Sequence, residues 1–154
     1  MTTSCETEPS QTKCQTLNSL ITEEEVRLAL KLLDNDKAAG LDGMTYEMWK
    51  LIAQKIEMDE EDNEPFNFIH LMTAAFNDIE QHGTCAGPTF AEGWMCPIYK
   101  KKEQNEIENY QPIMVLNTDY KLMTKVLAMC LAKSAPTLLH RNQAGFVPGR
   151  QISE

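Results

Sequence analysis

The chain has 154 residues, 42% hydrophobic and 24% charged, a composition that fits one globular domain of ordinary size. Its net charge of −9 argues against a polyanion-binding surface spread over the whole molecule. No apolar run approaches the roughly 20 residues of a membrane helix. The opening "MTTSCETEPSQTKCQT" also lacks the apolar core of a signal peptide, so a cytoplasmic or nuclear location and no membrane partner are expected.

The charge is unevenly placed. Residues 1–93 carry 18 Asp/Glu against 6 Lys/Arg, whereas residues 94–154 carry 5 against 8. A polyanion would be repelled by the first part and tolerated by the second. Residues 1–19 are polar and poor in apolar side chains, and a disordered tail is expected there.

The pattern changes at Ile21. Thr22 and Glu25 have the spacing of a capping box, with Ile21 as its hydrophobic staple, and an apolar set from Val26 to Leu33 predicts a helix to about Asp34. "NDKAAGLDGMT" is a turn-rich connection containing Gly40 and Gly43. Thr45 then suits the cap of a second helix, with Glu47 in its first turn and Met48, Leu51, Ile52 and Ile56 as its buried side. The acidic run "EMDEEDNEP" reads as a solvated loop. Pro65 suits the first turn of a third helix. Its stripe is Phe66, Ile69, Met72, Thr73, Phe76 and Ile79, and it ends near His82 and Gly83.

Beyond residue 90 the periodicity changes. "WMCPIYK" and "YQPIMVL" are two apolar runs around a charged connection, the pattern of a β-hairpin with a long turn. Pro97 and Pro112 mark both runs as edge or bulged strands. Asn117 or Thr118 can cap a fourth helix running from Asp119 to about Lys133 and ended by Pro136, with Tyr120, Met123, Thr124, Leu127 and Leu131 as its stripe. The expected class is therefore α+β, mainly α, with about four helices and one irregular hairpin. The five cysteines form no C-x-x-C pair and read as free thiols, and His70 and His82 have no partner spacing for a metal.

Taken in order, "EVRLALKLLDNDKAAGLDGMTYEMWK", "PIYKKK", "NYQPIMVLNTDYKLMTKVLA" and "NQAGFVPGRQI" resemble the start of a reverse transcriptase from a non-LTR (LINE-type) retrotransposon. The resemblance spans about residues 20–152. It implies the N-terminal extension and fingers of a right-hand polymerase, truncated before the palm, so that residues 20–154 form a partial domain. In the family, palm aspartates hold two Mg2+ ions for the chemistry. Those segments are not in this chain, so no catalytic residue, metal ligand or cofactor is expected in it and it should not polymerise alone. The expected partners are an RNA template or primer and a palm segment in trans. The alternatives are a non-enzymatic RNA or protein interaction module and a non-functional transposon relic.

Carried over by position, the resemblance makes Lys100 and Lys101 candidates for contact with nucleotide phosphates or template backbone, Lys102 less closely. Gln143, Gly145 and Phe146 match a Q-x-G-F segment implied to approach nucleic acid, and Arg150 is a candidate phosphate holder. Gln111 stands where the family usually has arginine, which trades a charged, two-pronged donor for a neutral amide. Ala39 and Leu41 replace prolines of the family's loop, and Glu103 stands where glycine is common.

Overall fold

The computed structural model describes residues 19–58, 66–84, 90–140, 142, 143, 145, 147, 149 and 150. Residues 1–18 of the expected tail, most of the acidic run, Pro65, Phe146, Cys5, Cys14 and Cys85 lie outside these. The elements are α1 (Glu23–Leu32), α2 (Tyr46–Met58), α3 (Phe68–His82), β1 (Gly93–Tyr99), a 3-10 turn (Ile107–Asn109), β2 (Tyr110–Leu116) and α4 (Thr118–Leu138). The class is α+β and mainly α, as the sequence predicts.

The capping box at the start of α1 is formed. Glu25 N donates to Thr22 Oγ1 at 3.3 Å, and Thr22 N donates to Glu25 Oε2 at 3.2 Å. Just before it, Ile21 is buried and clasped by Asn77, which accepts from Ile21 N at 2.8 Å and donates to Ile21 O at 2.9 Å. This exchange ties the entry of α1 to the middle of α3. Helix α1 touches all three other helices, and Val26, Ala29 and Leu30 are its buried residues. They meet Phe68, Ile69 and Phe76 of α3 and Leu122, Met123 and Val126 of α4 in a single cluster. Each of the large residues in it removes on the order of 2 kcal/mol of apolar surface from water.

Three buried faces differ from the sequence expectation. In α2, Met48 and Leu51 are exposed while Trp49, Ile52 and Ala53 pack on the core. In α3, capped by Asn67, Phe66 falls outside the helix and is exposed, and Phe68 takes the buried place. In α4, Leu122, Met123 and Val126 face inward, and Leu127 and Leu131 face outward. The helix also continues through Pro136 to Leu138 instead of stopping there. Each helix carries more apolar residues than one face accommodates, so pattern alone leaves the rotation about the axis open by one position.

The hairpin is regular. Strands β1 and β2 pair antiparallel, with Pro97 directly opposite Pro112. Lys100 N donates to Asn109 O at 3.0 Å. Because antiparallel pairs alternate, the Pro97–Pro112 pair then falls at a non-hydrogen-bonded step, where the missing N–H groups would have pointed outward. The two prolines thus cost no ladder bond and leave both strands unbulged. With only two strands, much of the hairpin surface is open, and Trp94, Met95, Ile98 and Met114 are all exposed.

Glu25 also joins α1 to α4, accepting from Lys133 Nζ at 3.0 Å and from Cys130 Sγ at 3.3 Å. Burial works to raise its pKa, but the Lys133, Thr22 and Cys130 donors outweigh it and draw the carboxyl down to about 2. A depressed carboxylate contributes stability above its unfolded pKa and loses it as pH falls through the folded value. The advantage of the wild-type chain over Glu25→Gln is expected to be about 1–2 kcal/mol near neutrality, discounted for the exposed lysine, and to vanish between about pH 4.5 and pH 2. Urea melts of both proteins across that range measure it; a gap that is constant with pH would refute the assignment.

Candidate functional site

The lysine triplet sits on the connection between β1 and β2, and the strands' own residues shape that connection. Tyr99 and Tyr110 face each other at the end of the ladder, with ring centroids 5.6 Å apart. Their hydroxyls reach forward into the turn: Tyr99 donates to Lys102 O at 2.6 Å and Tyr110 to Gln104 O at 2.9 Å. Asn109, buried, donates to Glu103 O at 2.8 Å. Three side chains therefore satisfy carbonyls that a long turn would otherwise leave to water. Within this clasp Lys102 is held at φ 73, the left-handed region that favours glycine.

Lys100, Lys101 and Lys102 are exposed, and together with Asn109 and Gln111 they line an open groove of about 450 Å3. Pairing of Ile98 with Gln111 places the exposed Gln111 on the same end of the hairpin as the lysines. One carboxylate, Glu108, lines the groove as well. The result is a mainly cationic, solvent-open cradle with one amide donor, suited to contact with anionic oxygens at a surface.

The other candidates lie after α4. Arg150 directs its guanidinium at four carbonyl oxygens: His140 at 2.7 Å and Gln143 at 2.9 Å from one nitrogen, Pro136 at 2.7 Å and Leu139 at 3.2 Å from the other. A cation at the Pro136 and Leu139 carbonyls offsets the negative end of α4 and ties the segment after the helix to its last turn. A phosphate at Arg150 would have to compete with these bonds. At Gly145 a Cβ would meet, among the described residues, only Gln143 Nε2 at 4.0 Å, so none of them demands glycine there. Gln143 is exposed, and Phe146 lies outside the described residues.

Behind the hairpin, the Gly40 loop is seated on the junction of β2 and α4. A Cβ at Gly40 would lie 2.1 Å from Asn117 Oδ1 and 2.4 Å from Asn117 Cα, so the loop approaches as only glycine permits. Asn117 Oδ1 accepts from Asp42 N at 3.4 Å and makes no side-chain cap bond to its own helix. Beside it the fully buried Thr118 donates to Met44 O at 2.9 Å and accepts from Trp49 Nε1 at 2.8 Å. Trp49 in turn stacks on Phe68, at 5.6 Å and 13°. Lys121 Nζ donates to Ala38 O at 3.1 Å.

This seating brings charges together. Burial, helped by the nearby Asp42 carboxylate, raises the pKa of Asp119 against the pull of the Tyr120 N–H. Burial lowers that of Lys121, with Asp42 opposing. Among the described residues no group of three or more His, Cys, Asp or Glu side chains is placed to hold a metal ion. His70 pairs with Glu23 at 2.8 Å, His82 with Asp78 at 2.9 Å, and Cys96 and Cys130 are free thiols.

Sequence reasoning overlooked Tyr99, Asn109 and Tyr110 as the residues that shape the lysine turn, and Trp49, Asn117 and Thr118 as the seat of the Gly40 loop. A signal was present for the first set: two tyrosines at mirrored positions about a polar connection. None was present for the second, whose partners lie 69 to 75 positions apart.

Two outcomes follow from this geometry. Gly40→Ala is expected to cost roughly 2–4 kcal/mol, because backbone and the Asn117 side chain block the new methyl; a shift in urea midpoint of less than a quarter of that would refute the close seating. Lys102→Gly is expected to stabilise the chain by about 0.5–1 kcal/mol by relieving the left-handed backbone, and a loss in Tm would contradict the turn geometry.

No protein-family model matches this chain. It is 29% identical over 143 residues to a Xenopus laevis protein, the "Transposon TX1 uncharacterized 149 kDa protein". The match covers 93% of this chain and 10% of that protein, so the chain spans about a tenth of the length of the relative it matches. Extending over nearly all of the chain, this similarity supports a transposon-derived protein.

Proposed function

We propose that this chain is the N-terminal extension and fingers portion of a non-LTR retrotransposon reverse transcriptase, and that its part in that enzyme is to contact RNA or nucleotide phosphates. The observation that carries the reading is the lysine turn: three consecutive cations, exposed and clasped into one shape, share a groove with Gln111. The strand leaving this groove runs directly into α4, whose first residues are gripped by the Gly40 loop. Three of the four stretches on which the resemblance rests are thus linked in space as well as in order, and the similarity to a transposon protein agrees with the origin the reading requires.

In this reading the chain supplies binding and a palm segment supplies the chemistry. The described carboxylates do not fit a two-ion site: Asp42 is in the Gly40 loop, Asp119 in the first turn of α4, and no third ligand joins them. No catalytic step is assigned to this chain. Its contacts would be made through flexible ammonium groups and one amide, which favour sequence-independent, salt-sensitive binding.

Fluorescence anisotropy with a single-stranded oligouridine across a salt series tests the reading. Binding is expected at low salt. The triple variant Lys100→Ala, Lys101→Ala, Lys102→Ala should lower the slope of log K against log salt by about 0.7 for each lysine in contact. Gln111→Arg should tighten binding by about three- to tenfold by adding a charged fork. No measurable binding at low salt, or affinity indifferent to the triple substitution, refutes the assigned surface. Metal-dependent primer extension by the isolated chain would overturn the division of labour.

A further inference from the structure

A second groove, of about 470 Å3, opens where the end of α1, the Gly40 loop, the outer edge of β2 and α4 meet. Its floor is aliphatic, with Leu33, Ile113 and Val115, and its rim carries Lys37, Lys121 and Lys125 with one carboxylate, Asp34. Those three cations are poorly neutralised from within. Lys37 meets Asp34 only at 3.7 Å, with both side chains largely in water. Lys121 is partly buried and donates to a neutral carbonyl, Ala38 O, with the Asp42 carboxylate near it but not in hydrogen-bond contact. Lys125 has no hydrogen bond or ion pair among the described residues. It lies one turn beyond Lys121, where like charges oppose the helix by about 0.2–0.5 kcal/mol.

The strand at this groove has an open edge. In the hairpin ladder the non-hydrogen-bonded steps include Pro97–Pro112 and Met95–Met114, so the Met114 N–H and C=O point away from β1. Proline blocks the edge at residue 112, and Met114 is the next position that offers a donor and an acceptor. Met114 is among the residues that line the groove. A donor and acceptor without partners among the described residues, an aliphatic floor and a rim on which three lysines outnumber one carboxylate define an extended chain with apolar and acidic side chains in alternation. Single-stranded nucleic acid fits less well, because the only aromatic lining residue, Tyr46, is buried at 4% exposure and offers no stacking face.

We infer that this groove docks an extended acidic peptide segment of a partner protein, which adds to the outer edge of β2 at Met114 and pairs its carboxylates with Lys37, Lys121 and Lys125. The site is distinct from the lysine-turn groove and does not depend on the function proposed for it.

The test uses the full chain and a labelled peptide about eight residues long that alternates Glu and Val, the length of one ordinary strand. Its Lys-Val counterpart and oligouridine serve as competitors. The Glu-Val peptide is expected to bind at low salt and the Lys-Val peptide not to compete. Lys121→Glu with Lys125→Glu should weaken binding by about tenfold, a loss attributable to surface charge pairs in modest dielectric. Met114→Pro should weaken it several-fold while the circular dichroism spectrum is retained, as Pro112 shows that the strand accepts proline at an outward N–H. Lys125→Glu alone keeps the charge arm informative if the double variant fails to fold. The lysine-turn triple variant should bind the peptide normally. Absence of Glu-Val binding, indifference to both the charge and the proline substitutions, or displacement of the peptide by oligouridine overturns the inference.

Discussion

The approach of Gly40 to Asn117 is the contact on which the rest of the molecule depends. No side chain fits between the loop and the start of α4, so the loop lies directly on the backbone where β2 becomes helix. Asn117 uses its side chain for the loop and not for its own helix, and Thr118 bridges Met44 and Trp49. One junction therefore determines where α2 begins, which way Trp49 turns, and the direction in which the hairpin leaves the helical body. A hairpin of two strands has little stability of its own. It is held at its base by this seating and at its tip by the tyrosine clasp.

The charges follow the same architecture. Carboxylates dominate the first three helices and the run between α2 and α3, and several are used internally, as Glu25 is with Lys133 and Glu23 with His70. The cations of the last part are left facing outward in two places: the turn of the hairpin, and the face of α4 beside the β2 edge. An acidic protein thus presents two local positive surfaces that follow one another along β2, the first lined by Tyr110 to Pro112 and the second by Ile113 to Val115. The groove at the turn sets its lysines beside Asn109 and Gln111, and the groove at the edge sets its lysines around Leu33, Ile113 and Val115, so the two suit anions of different kinds.

Arg150 illustrates how a residue suited to phosphate is also suited to a helix end. Its planar donors match two pairs of carbonyl oxygens, two at the last turn of α4 and two just beyond it. Gln111 and Lys102 show the converse. Gln111 sits at the cradle with no charge to offer, and Lys102 occupies a left-handed position at some backbone cost while keeping its ammonium group in the cationic turn.

Much of this was legible in the chain itself. The capping box at Thr22 and Glu25, the hairpin with β2 at Tyr110–Leu116, the start of α4 beside Asn117 and the mainly α class all rest on interactions between residues near one another in sequence, and such interactions leave local patterns. The gathering of Lys100, Lys101 and Gln111 at one end of a hairpin follows from pairing across a single turn. What the chain could not disclose is the rotation of the helices: Trp49 inward and Met48 outward, Phe68 in place of Phe66, Leu122 and Val126 in place of Leu127 and Leu131. Those choices were made by the seat of the Gly40 loop, by the Trp49–Phe68 stack and by the crossing of α1 over its three neighbours. All of these join residues far apart in sequence, and an apolar pattern with residues to spare on every face has no means of expressing which of its faces will find a partner.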